Sequence, residues 1–166
     1  VINLEGVQTR YENPAEVLKK IVKAGKDEVT TLIQKVYLEP IKEDLISRRV
    51  QELKQAGVLA AVSSIPHKAE RFAAIAQEAG ADLFVVQSTV STVRHISTEY
   101  KSLDLAAFAR NLRIPVLIGN AVTYGVTIEL MQCGVSGVLI GVGPGAACTS
   151  RGVLGLGVPQ VTATVD

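Results

Sequence analysis

The chain has 166 residues, enough for one domain, and is 48% hydrophobic and 20% charged with a formal net charge of +1. That balance, with 4% aromatic residues and no tryptophan, supplies neither a basic run for nucleic acid nor stacking platforms for bases. No run of 18 apolar residues and no leader-like segment stands before the first element, so a membrane partner is not expected.

The opening Val1–Leu4 reads as the end of a strand. Pro14–Ala24 follows as a helix, with Asn13 as N-cap and proline in the first turn. Val29–Tyr37 is predicted helical despite its β-branched residues, and Pro40 ends it. Ile41–Ala56 is an amphipathic helix with Ile46, Val50 and Leu53 on its inner face. Four short apolar runs then recur, Val58–Val62, Leu83–Val86, Val116–Ile118 and Gly137–Ile140, each bounded by glycine or proline and read as a buried strand. Between them lie helical patterns: Lys68–Ala79, with Ala69, Phe72, Ala73, Ile75 and Ala76 on one face; Leu103–Leu112, with Leu105, Phe108 and Leu112 together; and Val126–Met131, capped by Gly134. Strands alternating with helices predict βαβ units and a parallel sheet.

From Ile114 onward only Glu129, Arg151 and Asp166 are charged, so this stretch is expected to be buried against a core, a ligand or a neighbour. Two cysteines, Cys133 and Cys148, suggest neither a disulfide framework nor a zinc site, and a reducing cytoplasm is the simpler setting. Cys133 sits at a helix end and reads as core filler. Cys148 lies in a loop with Gly141, Gly143, Pro144 and Gly145 just beyond the strand Gly137–Ile140. Glycines let the backbone turn and approach a ligand. A thiol at a strand's carboxyl end is placed for nucleophilic chemistry, though a buried inert cysteine is the commoner state of the residue. His67 and His95 match no motif and are expected to be surface or capping residues.

The run Gly143-Pro144-Gly145-x-x-Cys148-Thr149-Ser150-Arg151, followed by Gly155-x-Gly157-Val158-Pro159-Gln160, resembles the active-site loop of bacterial IMP dehydrogenases and GMP reductases. Those read Gly-Pro-Gly-Ser-x-Cys-Thr-Thr-Arg and then Gly-x-Gly-x-Pro-Gln. Ile118-Gly119-Asn120-x-Val122-Thr123 is similar to a strand end one unit earlier in the same family. Asn3-Leu-Glu-Gly-Val-Gln-Thr-Arg-Tyr11 resembles most the IMP dehydrogenase-related subgroup of actinobacteria and cyanobacteria that lacks CBS domains.

The resemblance implies an α/β fold: part of a TIM (β/α)8 barrel, about strands two to six. Residues 1–166 would then be a fragment of one catalytic barrel, inactive alone for want of phosphate loops and a flap. It implies attack of Cys148 on C2 of the purine of IMP or GMP. In the dehydrogenase direction NAD takes hydride and water releases XMP; in the reductase direction NADPH supplies hydride and ammonia leaves. Ser150, at the place of a family threonine, would orient water or ammonia. Ser88 and Thr89 would lie near the nicotinamide of NAD or NADP. Asn120 would bond the substrate ribose or orient the cysteine; the alternative is an N-cap for the helix near Thr123. The carbonyls of Gly143, Gly145 and Cys148 would ligate a monovalent cation such as K+, the alternative being a turn that merely needs glycine. A cytoplasmic homotetramer or octamer is also implied.

Two positions depart from the family pattern. Gln87 replaces an aspartate, and Ala146 replaces the serine whose hydroxyl binds phosphate. They keep open a catalytically degenerate nucleotide-binding barrel as a rival to either enzyme. A third rival, a phosphate-binding lyase or isomerase barrel, is disfavoured by the retained cysteine.

Overall fold

A parallel pair of strands needs a crossover long enough to carry the chain back, and a helix is the usual device. In the computed structural model, which describes residues 1–94, 96–99 and 101–166, every crossover contains one. Five strands, β1 (Ile2–Asn3), β2 (Ala61–Ser64), β3 (Leu83–Gln87), β4 (Val116–Ala121) and β5 (Gly137–Ile140), form one parallel sheet in chain order. This is the predicted α/β arc of a partial barrel. Helices α1 (Pro14–Lys23), α2 (Val29–Leu38) and α3 (Glu43–Gln55) separate β1 from β2. Among the described residues one helix each, α4 (Pro66–Glu78), α5 (Leu105–Asn111) and α6 (Tyr124–Gln132), separates the later strands.

The periodicities hold where they were read. Ile46 and Val50 of α3, and Ala69, Phe72, Ala73 and Ala76 of α4, are buried against Val62, Phe84, Val86 and Ile118 of the sheet. Phe84 meets Phe108 edge to face, ring centroids 5.8 Å apart. Asn13 caps α1 by accepting the Glu16 N–H. Gly134, with φ +82°, follows α6 and donates to the Met131 carbonyl. Among the described residues no helix is long and apolar enough to cross a membrane.

Two expectations need correction. The strand predicted over Val58–Val62 begins only at Ala61. Gly57, at φ +70°, ends α3 in the left-handed conformation, and Val58 and Leu59 run over the surface, 50% and 81% exposed. Asp82 fixes the true strand start: its carboxylate accepts the Ala60 N–H and an ion pair from Lys54. Those two contacts, Lys54 first, hold the carboxyl below the ordinary aspartate range. The charge-poor stretch after Ile114 is also not wholly buried. It ends in two short helices absent from the sequence reading, α7 (Ser150–Leu154) and α8 (Gln160–Val165), which present Val153, Leu154, Val161 and Val165 to the surface.

Candidate active site

Because the strands are parallel and in register, their carboxyl ends lie along one rim. The ends of β3 and β4, the loops after β3 and β5, and the start of α8 meet there around a cleft of about 490 Å³, within the usual size of a small-molecule pocket. Ser88, Thr89, Asn120, Gly141, Gly143, Cys148 and Ser150 all line it, together with Gln87. Gly145 does not. Its backbone has no positive φ, and an added Cβ would meet only Cys148 Cβ at 4.0 Å. Gly141 and Gly143, by contrast, sit at φ +124° and +63°, where an L side chain is strained.

Asn120 is set by a bulge. Gly119 pairs with Leu139 and Ala121 with Ile140, so Asn120 is the extra residue between them. Its Nδ2 donates to the Gly141 carbonyl at 2.7 Å, tying the end of β4 to the loop after β5. The N-cap alternative is excluded. Thr123 is the N-cap of α6, and the Tyr124 N–H goes to Asp166 Oδ2 at 2.8 Å. The strand end is bound to the β3 loop as well: Ser88 N–H donates to Gly119 O at 2.9 Å and Asn120 N–H to Ser88 O at 3.2 Å. The buried Ser91 hydroxyl also donates to Gly119 O. The close seating of β5 demands glycine at 119, since a Cβ there would lie 2.5 Å from Leu139 Cβ.

Cys148 is half-buried just before α7, its Sγ 3.4 Å from Ser150 Oγ. The Ser150 hydroxyl, the Ser150 N–H and then the Arg151 guanidinium favour the thiolate, and together they outweigh partial desolvation and lower the thiol's pKa. Cys133 is the opposite case. Burial, helped by the charges of Asp104 and Glu129, pushes its thiol up, and its Sγ faces the Glu129 carbonyl along the helix. Ser150→Ala is therefore expected to move the pH midpoint of Cys148 alkylation upward while leaving Cys133 unchanged. Iodoacetamide rates followed residue by residue from about pH 6 to 10, the range in which thiols titrate, check this.

Ser88 turns its hydroxyl to the Val90 carbonyl at 2.7 Å, and Thr89 is exposed at the mouth. Ser88 also borders a second, more apolar pocket of about 390 Å³ that includes Ile65, Pro66 and Leu103. His67 is an exposed residue of α4 at its edge, and His95 lies outside the described residues. Ala146 is exposed and presents no hydroxyl.

Gln160 was not among the predicted site residues. It opens α8, its Nε2 donates to the Ile140 carbonyl at 3.2 Å, and its Oε1 crowds Gly141. The Pro159-Gln160 pair in the second half of the motif was the available signal.

A family model for the IMP dehydrogenase / GMP reductase domain matches residues 9–166. The chain belongs to the IMP dehydrogenase/GMP reductase family. An uncharacterized oxidoreductase of Mycolicibacterium smegmatis is 30% identical across the whole chain, which covers 46% of that protein. An inosine-5'-monophosphate dehydrogenase of Cryptosporidium parvum is 40% identical over 86 residues, 52% of this chain and 20% of that one. The crystal structure of an IMP dehydrogenase/GMP reductase-like protein from Corynebacterium glutamicum superposes with a TM-score of 0.87 at 28% identity, covering 99% of this chain and 43% of its own. The chain thus spans about half the length of the curated oxidoreductases it matches.

Proposed function

We propose that the chain carries the thiol side of a purine-nucleotide oxidoreductase, IMP dehydrogenase-like, in which Cys148 forms a covalent bond to C2 of IMP. The observation that supports this reading is the convergence of a thiol of lowered pKa, Ser150 and Asn120 on one cleft at the carboxyl rim of the sheet. Thiolate addition to C2 makes the carbon tetrahedral. NAD or NADP, when bound, supplies the acceptor for the hydride that C2 gives up. The second pocket beside Ser88 offers the apolar surface a flat ring system needs, so the residues present fit a nicotinamide dinucleotide. Ser150, beside the sulfur, orients the water that attacks C2 and releases XMP with the thiolate restored. Asn120, its amide anchored on the Gly141 carbonyl, has its Oδ1 left to accept from substrate. The cytoplasm is the setting we assign, with a homotetramer or octamer as the working form.

The test is protection. Iodoacetamide labelling of Cys148 is expected to slow on adding IMP or GMP, while Cys133 labelling stays constant. Equal labelling of Cys148 with and without nucleotide would overturn the reading. Assays of IMP with NAD and of GMP with NADPH then decide between dehydrogenase and reductase, since both directions use the same thiol.

The donor set for a monovalent cation fits less well. The Gly145 carbonyl already accepts the Cys148 N–H at 3.1 Å and an Arg151 Nη2 at 3.3 Å. A cation on that oxygen would have to share it with both donors.

A further inference from the structure

A further cavity, of about 380 Å³, lies where the first turns of α3 and α4 meet the segment after β1. Ile41 and Phe72 give it an apolar wall. Arg10, Lys68 and Arg71 bring three cations to it against one carboxylate, Glu43, in a chain whose net charge is only +1. Like charges gathered round one cavity repel unless an anion joins them. Glu43 is already engaged, in an ion pair with Arg71. Arg10 is fixed by neutral partners: it donates to the carbonyls of Glu5, Tyr37 and Glu39 and lies 5.1 Å from the centroid of the Tyr37 ring. Its charge is therefore held in place and not neutralised. Lys68 is half-buried, and none of the ion pairs among the described residues includes it. Behind Lys68, α4 starts with neither a side-chain cap nor an acid in its first turn, so the helix dipole adds to the positive field.

We propose that this cavity is a phosphate-binding site, in which Lys68 and the remaining N–H groups of Arg10 and Arg71 hold a phosphomonoester or diphosphate. Guanidinium groups suit that role because their fork of donors matches phosphate oxygens, with the ammonium as a point charge beside them. The site adjoins the pocket beside Ser88. Pro66 and His67 wall that pocket, His67 borders both cavities, and Lys68 follows on the same helical turn. Two sources share the chemistry. One is the 2′-phosphate of NADP, reaching over the start of α4 from the pocket assigned to the dinucleotide. The other is the phosphate of a separate small nucleotide. The first source rests on the proposed function; the second does not.

The experiment titrates the protein with inorganic pyrophosphate by calorimetry, and with NADPH and NADH by fluorescence. Lys68→Gln and Lys68→Arg are compared with wild type, and circular dichroism reports that both fold. Pyrophosphate is expected to bind wild type and to weaken as salt is added. Lys68→Gln should weaken it by about tenfold, the scale of one lost charge-assisted hydrogen bond, and Lys68→Arg should keep most of the affinity. If the 2′-phosphate is the source, NADPH binds about tenfold tighter than NADH, and Lys68→Gln removes that preference without changing NADH. If a separate nucleotide is the source, NADPH and NADH bind alike while the pyrophosphate loss remains. The proposal is overturned if Lys68→Gln leaves both the pyrophosphate affinity and the NADPH-to-NADH ratio within about twofold of wild type, well short of one such bond. It is equally overturned if wild type binds neither pyrophosphate nor NADPH. Nucleotide protection of Cys148 is expected in every variant. Its absence from wild type would sink the proposed function and leave the pyrophosphate result standing.

Discussion

Cys148→Ala is expected to reduce turnover of the whole protein by at least about a thousandfold, the scale at which removal of a covalent nucleophile is felt. The thiol is the group that bonds to C2 in the proposed chemistry, and Ser150 has no comparable nucleophilicity at neutral pH. Nucleotide affinity should persist, because the cleft is also lined by Gln87 to Thr89, Asn120 and Ile140 to Pro144, which the substitution leaves unchanged. Steady-state assay gives the loss, and calorimetric titration with IMP gives the retained binding. Turnover within tenfold of wild type would show that the sulfur is not the reacting atom.

Phe84→Ala is expected to destabilise the fold by about 3–5 kcal/mol, the usual range for truncating a buried phenylalanine. Phe84 is fully buried, stands opposite Val62 on β2 and Val116 on β4, and carries the edge contact to Phe108. Its removal leaves a void at the middle of the arc that neither neighbouring strand can collapse into without losing register. Such a loss is a large share of the roughly 5–15 kcal/mol that holds a domain together. A urea titration should show the midpoint fall with the slope unchanged. A shift under about 1 kcal/mol would mean that the arc repacks, contrary to the rigidity expected of close-packed interiors.

The architecture was legible because its signals are redundant. β3, β4 and β5 each hold an apolar run between breakers, and α3, α4 and α5 show the stripes read from their periodicity. The one misplaced start, Val58, shows the limit of that reasoning. Apolar content marks a strand only if the backbone is there to pair, and the left-handed Gly57 delays pairing until Ala61. Helices α7 and α8 were invisible for a related reason. α7 carries Gly152 and Val153 in five residues and α8 is β-branched at Val161, Thr162, Thr164 and Val165, poor helix formers that hold here through the turn at Gly155 and the seat of α8 on β5. At the site, the residue types in the loop after β5 pointed to the thiol. The bulge that makes Asn120 the extra residue depends on pairing between segments distant in the chain and leaves no local mark, and the motif that marks Gln160 does not show its reach to the Ile140 carbonyl.

The sheet's simple order, each strand beside its predecessor, bears on how the molecule comes apart. Pairing β2 with β3, β3 with β4 and β4 with β5 closes in each case a loop holding one helix, whereas Ile2 meets Val62 only across all of α1, α2 and α3. The added closure entropy grows only as the logarithm of loop length, but to offset it the seam has only the two residues of β1, the Leu4 N–H on the Ser63 carbonyl, and Glu5 accepting from Ser64 and Ile65. The seam between β1 and β2 is therefore where the arc opens first under thermal fluctuation, and the cooperative block runs from β2 to β5. Every residue that lines the thiol cleft lies within or beyond that block, so fraying at the amino-terminal edge leaves the chemistry undisturbed.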